Sequence, residues 1–150
     1  MTSKAAVNGF LAQRTWAVAG ASRTDQKFGN MAYRELKARG NRLLPVHPSA
    51  ESIEGDRCYA SLKALPEPAG VVLVVTPPAQ TEQVVQDAAA ADIRRVWMQQ
   101  GAESAAAIRF CQERGIEVVH GECIMMFVPE AGFGHRMHRW VWGLLGKLPK

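Results

Sequence analysis

The sequence predicts an α/β fold with a doubly wound, mainly parallel, five-stranded Rossmann-type sheet and helices on both faces. Short apolar runs alternate with longer segments of helical periodicity, which indicates strands joined by helical crossovers. The run Val71–Val75 is apolar throughout, as is typical of a strand covered on both faces. A chain of 150 residues with 47% apolar content suits one domain that buries about two-thirds of its unfolded surface.

Five apolar runs are the predicted strands, and right-handed crossovers between them make the sheet mainly parallel. In chain order they are Trp16–Ala19, Leu43–Val46, Val71–Val75, Arg95–Met98 and Ile116–Val119.

Three helices are predicted between these strands. Gly40 and Gly115 stand where glycine commonly ends a helix, and the segment Thr76–Pro78 opens the middle helix, where proline is tolerated in the first turn. The inner faces are predicted to be Phe28, Met31, Ala32 and Leu36, then Val84, Val85 and Ala88, then Ala105, Ile108 and Cys111.

An extra amphipathic helix is predicted at the C-terminus, so that residues 1–150 form one domain with a core of about 10–124 and an extension of 125–150. Packing on the protein's own sheet or in a homodimer, docking on a partner protein and peripheral membrane contact all remain open. The apolar face would hold Phe133, Met137, Trp140, Val141, Leu144 and Leu145, opposite His135, Arg136, His138 and Arg139.

Composition excludes several classes of protein. The formal net charge is only +4 and the aromatic residues are not interleaved with a basic strand face, so we expect no nucleic-acid ligand. No run of eighteen apolar residues occurs, and the N-terminus lacks the apolar core of a secretory leader, so we expect a cytoplasmic protein without a membrane partner. The three cysteines have no C-x-x-C spacing and are expected to be reduced thiols, with no metal site.

A small-residue turn joins the first strand to the first helix in the stretch "AVAGASRTDQKFGN". Gly20, Ala21 and Ser22 would let a phosphate approach the backbone N–H groups, and Arg23 and Lys27 would add positive charge. The dinucleotide fingerprint G-x-G-x-x-G is absent. The spacing alone leaves both a phosphate site and a purely structural turn open.

The end of the second strand helps to choose between ligands. NAD-binding domains place an acid here to bond the ribose, whereas this sequence reads "LLPVHPSAES" with His47 in that region. NAD is therefore disfavoured. NADP and coenzyme A (CoA), which both carry an extra phosphate near the ribose, remain open.

Several motifs in order resemble those of the small stand-alone CoA-binding proteins, which are similar to the CoA-binding domain of the succinyl-CoA synthetase α subunit. The resemblance covers roughly residues 10–124. The motifs are "GASRTDQKFG" (20–29), "PVHP" (45–48), "EGDRCYASLKALP" (54–66), "TPP" (76–78) and "VWMQQGAES" (96–104).

The resemblance implies that CoA or an acyl-CoA is the ligand, with its phosphates on the glycine turn. It implies binding without catalysis, in a CoA-responsive regulatory or carrier module, because we find no counterpart of the phosphohistidine domain of the ligases. An NADP-dependent enzyme and an interaction subunit that has lost its ligand remain alternatives. The binding residues implied are Gly20, Ala21, Ser22, Arg23, Lys27, Phe28, Pro45, Val46, His47, Thr76, Pro77 and Pro78, with Met98, Gln99 and Gly101 along the pantetheine arm.

The sequence allows more than one role for several histidine and cysteine side chains. His47 would contact the ligand or cap the turn between two prolines, and His120 is placed on the crevice side without a catalytic partner nearby in sequence. Cys111 is expected in the core. Cys58 and Cys123 would either be buried or exchange with the CoA thiol, which requires an accessible thiolate.

Overall fold

The computed structural model describes residues 2–22 and 28–127, which form a five-stranded parallel sheet with helices on both faces, as predicted. The strands are β1 Thr15–Ala19, β2 Arg42–Val46, β3 Ser52–Ile53, β4 Asp56–Arg57, β5 Val71–Val74, β6 Arg95–Gln99 and β7 Glu117–Glu122. The helices are α1 Lys4–Leu11, α2 Phe28–Ala38, α3 Pro78–Ala90 and α4 Ala105–Glu113, with 3₁₀ turns at Leu62–Ala64 and Ile124–Met126.

The strand order is β2-β1-β5-β6-β7, so the chain leaves β1 in one direction and later returns to its other side. Both neighbours of β1 are parallel to it, and Ala19 lies in register with Val46 on one side and Val74 on the other. The strand order therefore reverses between β1 and β5. In open α/β sheets, ligands bind outside the carboxyl ends of the strands at such a switch point.

Two apolar layers cover the sheet. Helices α1 and α2 cover one face, where Phe10 packs edge-to-face on Trp16 and Trp97 with ring centroids 4.8 and 5.2 Å apart. Helices α3 and α4 cover the other face with Val85 and Cys111, both fully buried. Since both faces are covered, the central strand β5 is apolar throughout, as its sequence indicated.

Helix α1 and the hairpin β3–β4 were not predicted as elements. Helix α1 has only eight residues, and it is held by the Ser3 side chain, which accepts from Ala6 N, and by packing of Phe10 on the sheet. The hairpin strands have two residues each, too few to show a period. Its stability depends on contacts with α2 that are distant in sequence.

The predicted inner faces were wrong at Met31 of α2 and at Ala105 of α4, which are both exposed. In α4 the buried positions are Ala107 and Cys111, which lie four residues apart on the face that packs in the core. The last strand also extends to Glu122 rather than ending at Val119. Gly40 and Gly115 follow their helices with φ of +87° and +69°, as predicted for C-terminal caps.

None of the helices in the described ranges is long and apolar enough to cross a membrane. The predicted C-terminal amphipathic helix lies outside the described residues, and so do Arg23 and Lys27 of the glycine turn.

Candidate functional site

The turn after β1 requires glycine at position 20. Gly20 has a φ of +107°, which L-residues rarely adopt. A Cβ atom there would lie 2.6 Å from the backbone nitrogen of Thr76 and 2.7 Å from the carbonyl carbon of Val75. The turn after β1 and the loop after β5 thus meet backbone to backbone at the switch point.

The start of α2 approaches the same loop through Gly29. A Cβ atom at position 29 would lie 2.8 Å from Cγ2 of Val75, so a larger residue would push the helix away from the sheet. The N-terminus of α2, with its partial positive charge, therefore lies close to the carboxyl end of β5.

The buried side chain of Asn30 bonds the turn from the protein interior, and Asn30 was not among the predicted site residues. Its side chain is 1% exposed; Oδ1 accepts from the N–H of Ser22 at 2.8 Å and Nδ2 donates to the carbonyl of Ser22 at 2.7 Å. Nδ2 also donates to Oε1 of Glu54 at 3.0 Å. An asparagine directly after a glycine at a helix start was the available signal, but its partners could not be read from the sequence.

The amide of Ala21 differs from that of Ser22. Its N–H has no acceptor within the part of the chain that the structure describes. Ala21 lines a cleft at the edge of the sheet. The turn can therefore offer this N–H to an anionic group, whereas the N–H of Ser22 is already used by Asn30.

Two clefts open at the carboxyl edge of the sheet on either side of a shared wall, which consists of Gly20, Thr76 and Pro77. The β2-side cleft has a volume of about 610 Å³ and lies between the glycine turn, the segment after β2 and helix α3. The β6-side cleft has a volume of about 580 Å³ and lies between α2 and the segments after β6 and β7.

In the β2-side cleft, the structure brings together Ala21, Ser22, Val46 and His47 from the predicted set. Nδ1 of His47 accepts from the backbone N–H groups of Ser49 and Ala50, both at 3.0 Å. His47 therefore caps its own turn and also borders the cleft, so the two roles considered for it are compatible. Contact with a ligand stays a prediction.

Polar side chains of α3 line one side of the β2-side cleft, and these residues were not among the predicted site residues. Gln80, Gln83 and Asp87 lie three and four residues apart on one helix face, and Nε2 of Gln83 donates to Oδ1 of Asp87 at 3.0 Å. The i, i+3, i+7 spacing was visible in the sequence, but polar residues at this spacing are also typical of an ordinary solvated helix face.

In the β6-side cleft, the structure brings together Phe28, Gln99 and Gly101 from the predicted set, with Cys123 beside them. Gln99 is 6% exposed, and its Oε1 accepts from the backbone N–H of Ile124 at 3.0 Å. This bond links the end of β6 to the 3₁₀ turn after β7 and orients the Gln99 side chain.

The shared wall is held by a chain of hydroxyl groups. Oγ1 of Thr81 donates to the carbonyl of Ala102 at 2.6 Å and lies 2.9 Å from Oγ1 of Thr76. Since a hydroxyl has one proton, Thr76 donates to Thr81. The chain connects the loop after β5, helix α3 and the loop after β6, and thereby supports both clefts.

Pro45, Pro78 and Met98 are not among the described residues that line either cleft. Pro45 is buried within β2, Met98 is fully buried in the layer under α3 and α4, and Pro78 is exposed as the first residue of α3. Strand alternation explains Met98, because neighbouring residues of β6 point to opposite faces of the sheet.

The reactive side chains are mostly shielded. Burial lowers the pKa of His120, which lies within β7 and whose backbone bonds the Thr2 hydroxyl. Burial raises the pKa of the Cys58 thiol, and that of Cys111 to about 11, which disfavours their thiolates. No cluster of three metal-ligating side chains occurs within residues 2–22 and 28–127.

A parallel sheet with a glycine turn and paired clefts at its switch point defines a Rossmann-type ligand-binding domain. A family model described as a CoA binding domain matches residues 14–129, more than half of the chain. The chain therefore belongs to this family, the predicted resemblance is confirmed, and CoA binding in general is the function that the family supports.

The chain is also similar to individual proteins. The uncharacterized protein YneT of Bacillus subtilis (strain 168) is 27% identical over 108 residues, which cover 72% of this chain and 80% of that protein. A conserved hypothetical protein from Pyrococcus furiosus is 38% identical with a TM-score of 0.73, covering 77% of this chain and 99% of that chain.

A larger enzyme shares the fold. Acetyl-coenzyme A synthetase 1 of Ca. Korarchaeum cryptofilum, solved in complex with phosphate and ADP, is 22% identical with a TM-score of 0.64. The alignment covers 74% of this chain and 26% of that enzyme. At this identity the likeness shows the fold alone.

Proposed function

We propose that this protein binds CoA or an acyl-CoA across the wall of Gly20, Thr76 and Pro77, without catalysing a reaction on it. The observation that carries the proposal is the pair of clefts that meet at this wall, at the switch point of a sheet from the CoA-binding family. A long ligand with two chemically different halves suits two adjoining clefts better than a compact ligand does.

The polar end of the ligand is assigned to the β2-side cleft. The N–H of Ala21, which has no acceptor among the described residues, suits a phosphate oxygen, and Arg23 and Lys27 lie within the same connection in sequence. His47 and the polar face of α3 offer hydrogen-bonding groups for the nucleotide. The segment after β2 has no acid at the position where NAD-binding domains hold the ribose.

The pantetheine arm is assigned to the β6-side cleft. Its described lining combines apolar groups of Phe28 and Val75 with the amide of Gln99, which suits a neutral chain carrying amide groups. Cys123 lies in this lining but is buried, so the proposal uses it as a wall residue rather than as a thiol that exchanges with CoA.

A role without catalysis is supported by the placement of the titratable groups. His120 is not among the described residues lining either cleft, and the raised thiol pKa of Cys58 and Cys111 disfavours nucleophilic chemistry there. We therefore propose a CoA-responsive regulatory or carrier module in the cytoplasm.

A thermal-shift panel of CoA, acetyl-CoA, NADP, NAD and ATP tests the proposal. A ligand at 100 times its Kd stabilises the folded state by about 2.7 kcal/mol, and we expect this for CoA or acetyl-CoA only. A shift with NADP and none with CoA would overturn the proposal in favour of an NADP-dependent enzyme. A flat panel would favour an interaction subunit without a ligand.

Charge variants refine the same test by titration calorimetry with CoA. Arg23→Ala and Lys27→Ala should weaken binding and lower its dependence on salt, because each removes a positive charge beside the phosphates. Arg109→Ala and Lys4→Ala, at exposed positions on α4 and α1, make the same charge changes away from the clefts. Equal effects from both pairs would show that the phosphates lie elsewhere.

A further inference from the structure

We propose that Asn30 is a positioning residue that holds the glycine turn in its binding conformation, and that Glu54 of the β3–β4 hairpin holds Asn30 in turn. The inference rests on the proposed function in so far as the turn is the phosphate site. It concerns an amide side chain that touches the turn from within the protein, without contacting the ligand.

The geometry of the Asn30 amide is the first argument. It bonds both the N–H and the carbonyl of Ser22, at 2.8 and 2.7 Å, and so replaces the partners that a neighbouring strand would supply. With its side chain 1% exposed, water does not compete for these bonds. The Ser22 peptide groups are thus held in one orientation relative to α2.

The bond to Glu54 is the second argument. Nδ2 of Asn30 donates to Oε1 of Glu54 at 3.0 Å, and a carboxylate oxygen can only accept. The amide therefore keeps its nitrogen toward Glu54 and the Ser22 carbonyl, and its oxygen toward the Ser22 N–H. Glu54 lies in the hairpin connection with a φ of +51°, beside Gly55 with a φ of +81°, so a tight turn presents this carboxylate.

The bonds of Asn30 also affect the N–H of Ala21, the residue before Ser22. With the N–H of Ser22 used by Asn30, the neighbouring N–H of Ala21 is left without an acceptor in the described part of the chain and borders the β2-side cleft. By bonding the Ser22 N–H, Asn30 leaves the Ala21 N–H available to a ligand. A turn free to rotate would lose this arrangement and would have to be ordered on binding.

The test uses Asn30→Ala, with Asp56→Asn as the matched control. Asp56 connects the same hairpin to α2 through Lys37 at 2.9 Å and through Tyr33, but it has no hydrogen bond to the described part of the turn, Gly20 to Ser22. We expect Asn30→Ala to speed hydrogen exchange of the Ser22 amide, measured by NMR without ligand, and to weaken CoA binding about tenfold or more. Asp56→Asn should leave both quantities unchanged, whatever its effect on stability.

Two outcomes would overturn the inference. One is a folded Asn30→Ala protein with wild-type exchange at Ser22; the other is an affinity loss in both variants that follows their loss of stability. The exchange measurement needs no ligand, so it decides the role of Asn30 even if the wild-type protein fails to bind CoA and the proposed function falls.

A second pair of variants replaces Asn30→Ala if that protein does not fold. Asn30→Asp places a carboxylate against Glu54 and removes the donor to the Ser22 carbonyl, so CoA affinity should fall. Adding Glu54→Gln should restore part of it, because the glutamine amide can donate to the new carboxylate. Absence of any rescue in the folded double variant would contradict the role assigned to Glu54.

Discussion

Two regions at the carboxyl edge of the sheet differ in whether their buried polar side chains have hydrogen-bond partners. At the glycine turn, the buried Asn30 amide bonds Ser22 and Glu54, and the hairpin is joined to α2 by a second set of bonds at Asp56. At the end of β7, Glu122 is 8% exposed, and its Oε2 has no hydrogen-bond partner within the described ranges. The polar bonds therefore order the glycine turn, whereas the end of β7 contains a buried carboxylate that destabilises the fold.

The largest effect is expected from Gly20→Ala in the glycine turn. The new Cβ would overlap the backbone of Val75 and Thr76 and would also strain a φ of +107°, so we expect a loss of about 3 kcal/mol or more. Gly40→Ala is the control, because Gly40 has a similar φ of +87° but nothing within 4 Å of its Cβ position. Urea unfolding measures both variants; equal losses would show that backbone strain alone, without the contact, accounts for the effect.

A smaller effect of opposite sign is expected from Glu122→Gln at the end of β7. Burial raises the pKa of Glu122, so the folded state binds the proton more tightly than the unfolded state does. Stability should therefore fall as the pH rises from the unfolded pKa through the folded one. The glutamine variant should remove this loss and be more stable by about 1 kcal/mol at neutral pH.

The control for Glu122→Gln is Glu117→Gln on the same strand, where the carboxylate is half-exposed and lies 3.3 Å from Arg95. Unfolding free energies measured across acid and neutral pH check both variants. If Glu122→Gln destabilises the protein at neutral pH, the carboxylate has a favourable partner and the contrast between the two regions breaks down.

The smallest effect is expected from Asp56→Asn in the hairpin. Burial acts to raise the pKa of Asp56, but hydrogen bonds from Lys37 and Tyr33 outweigh it and hold the pKa below its ordinary value. The charged form therefore stabilises the fold above the unfolded pKa, and this contribution disappears as the pH falls through the folded pKa. The variant should lose about 0.5 kcal/mol at neutral pH and nothing in strong acid, as pH-dependent unfolding would show.

Much of the fold could be predicted because its signals are local. The apolar run of β5 and the glycines at positions 40 and 115 depend on neighbouring residues only, and the structure agrees with them. Ala105 was misplaced because a helical period alone does not decide which face of α4 packs on the sheet; in the structure that face holds Ala107 and Cys111. Helix α1 and the β3–β4 hairpin were not predicted, because they are stabilised by packing against elements that are distant in sequence.

The candidate site likewise contains some residues that local motifs predicted and others that they did not. Gly20, Thr76 and Pro77 were nominated from motifs, and the structure places all three in one wall because parallel strands end at a common edge. Asn30, Glu54 and the α3 residues Gln80 and Gln83 were missed. Their roles depend on which surfaces face each other after folding.

The class of fold, the position of the glycine turn and the family could be predicted from the sequence, since alternation, turn chemistry and motif order are properties of short stretches. The bond between Asn30 and Glu54, which are 24 residues apart, became visible only in the folded protein. The folded structure also shows that the N–H of Ser22 bonds Asn30, whereas the N–H of Ala21 has no acceptor among the described residues. The physical reason is that a buried polar group must find a partner wherever the folded chain supplies one, and sequence separation does not reveal that partner.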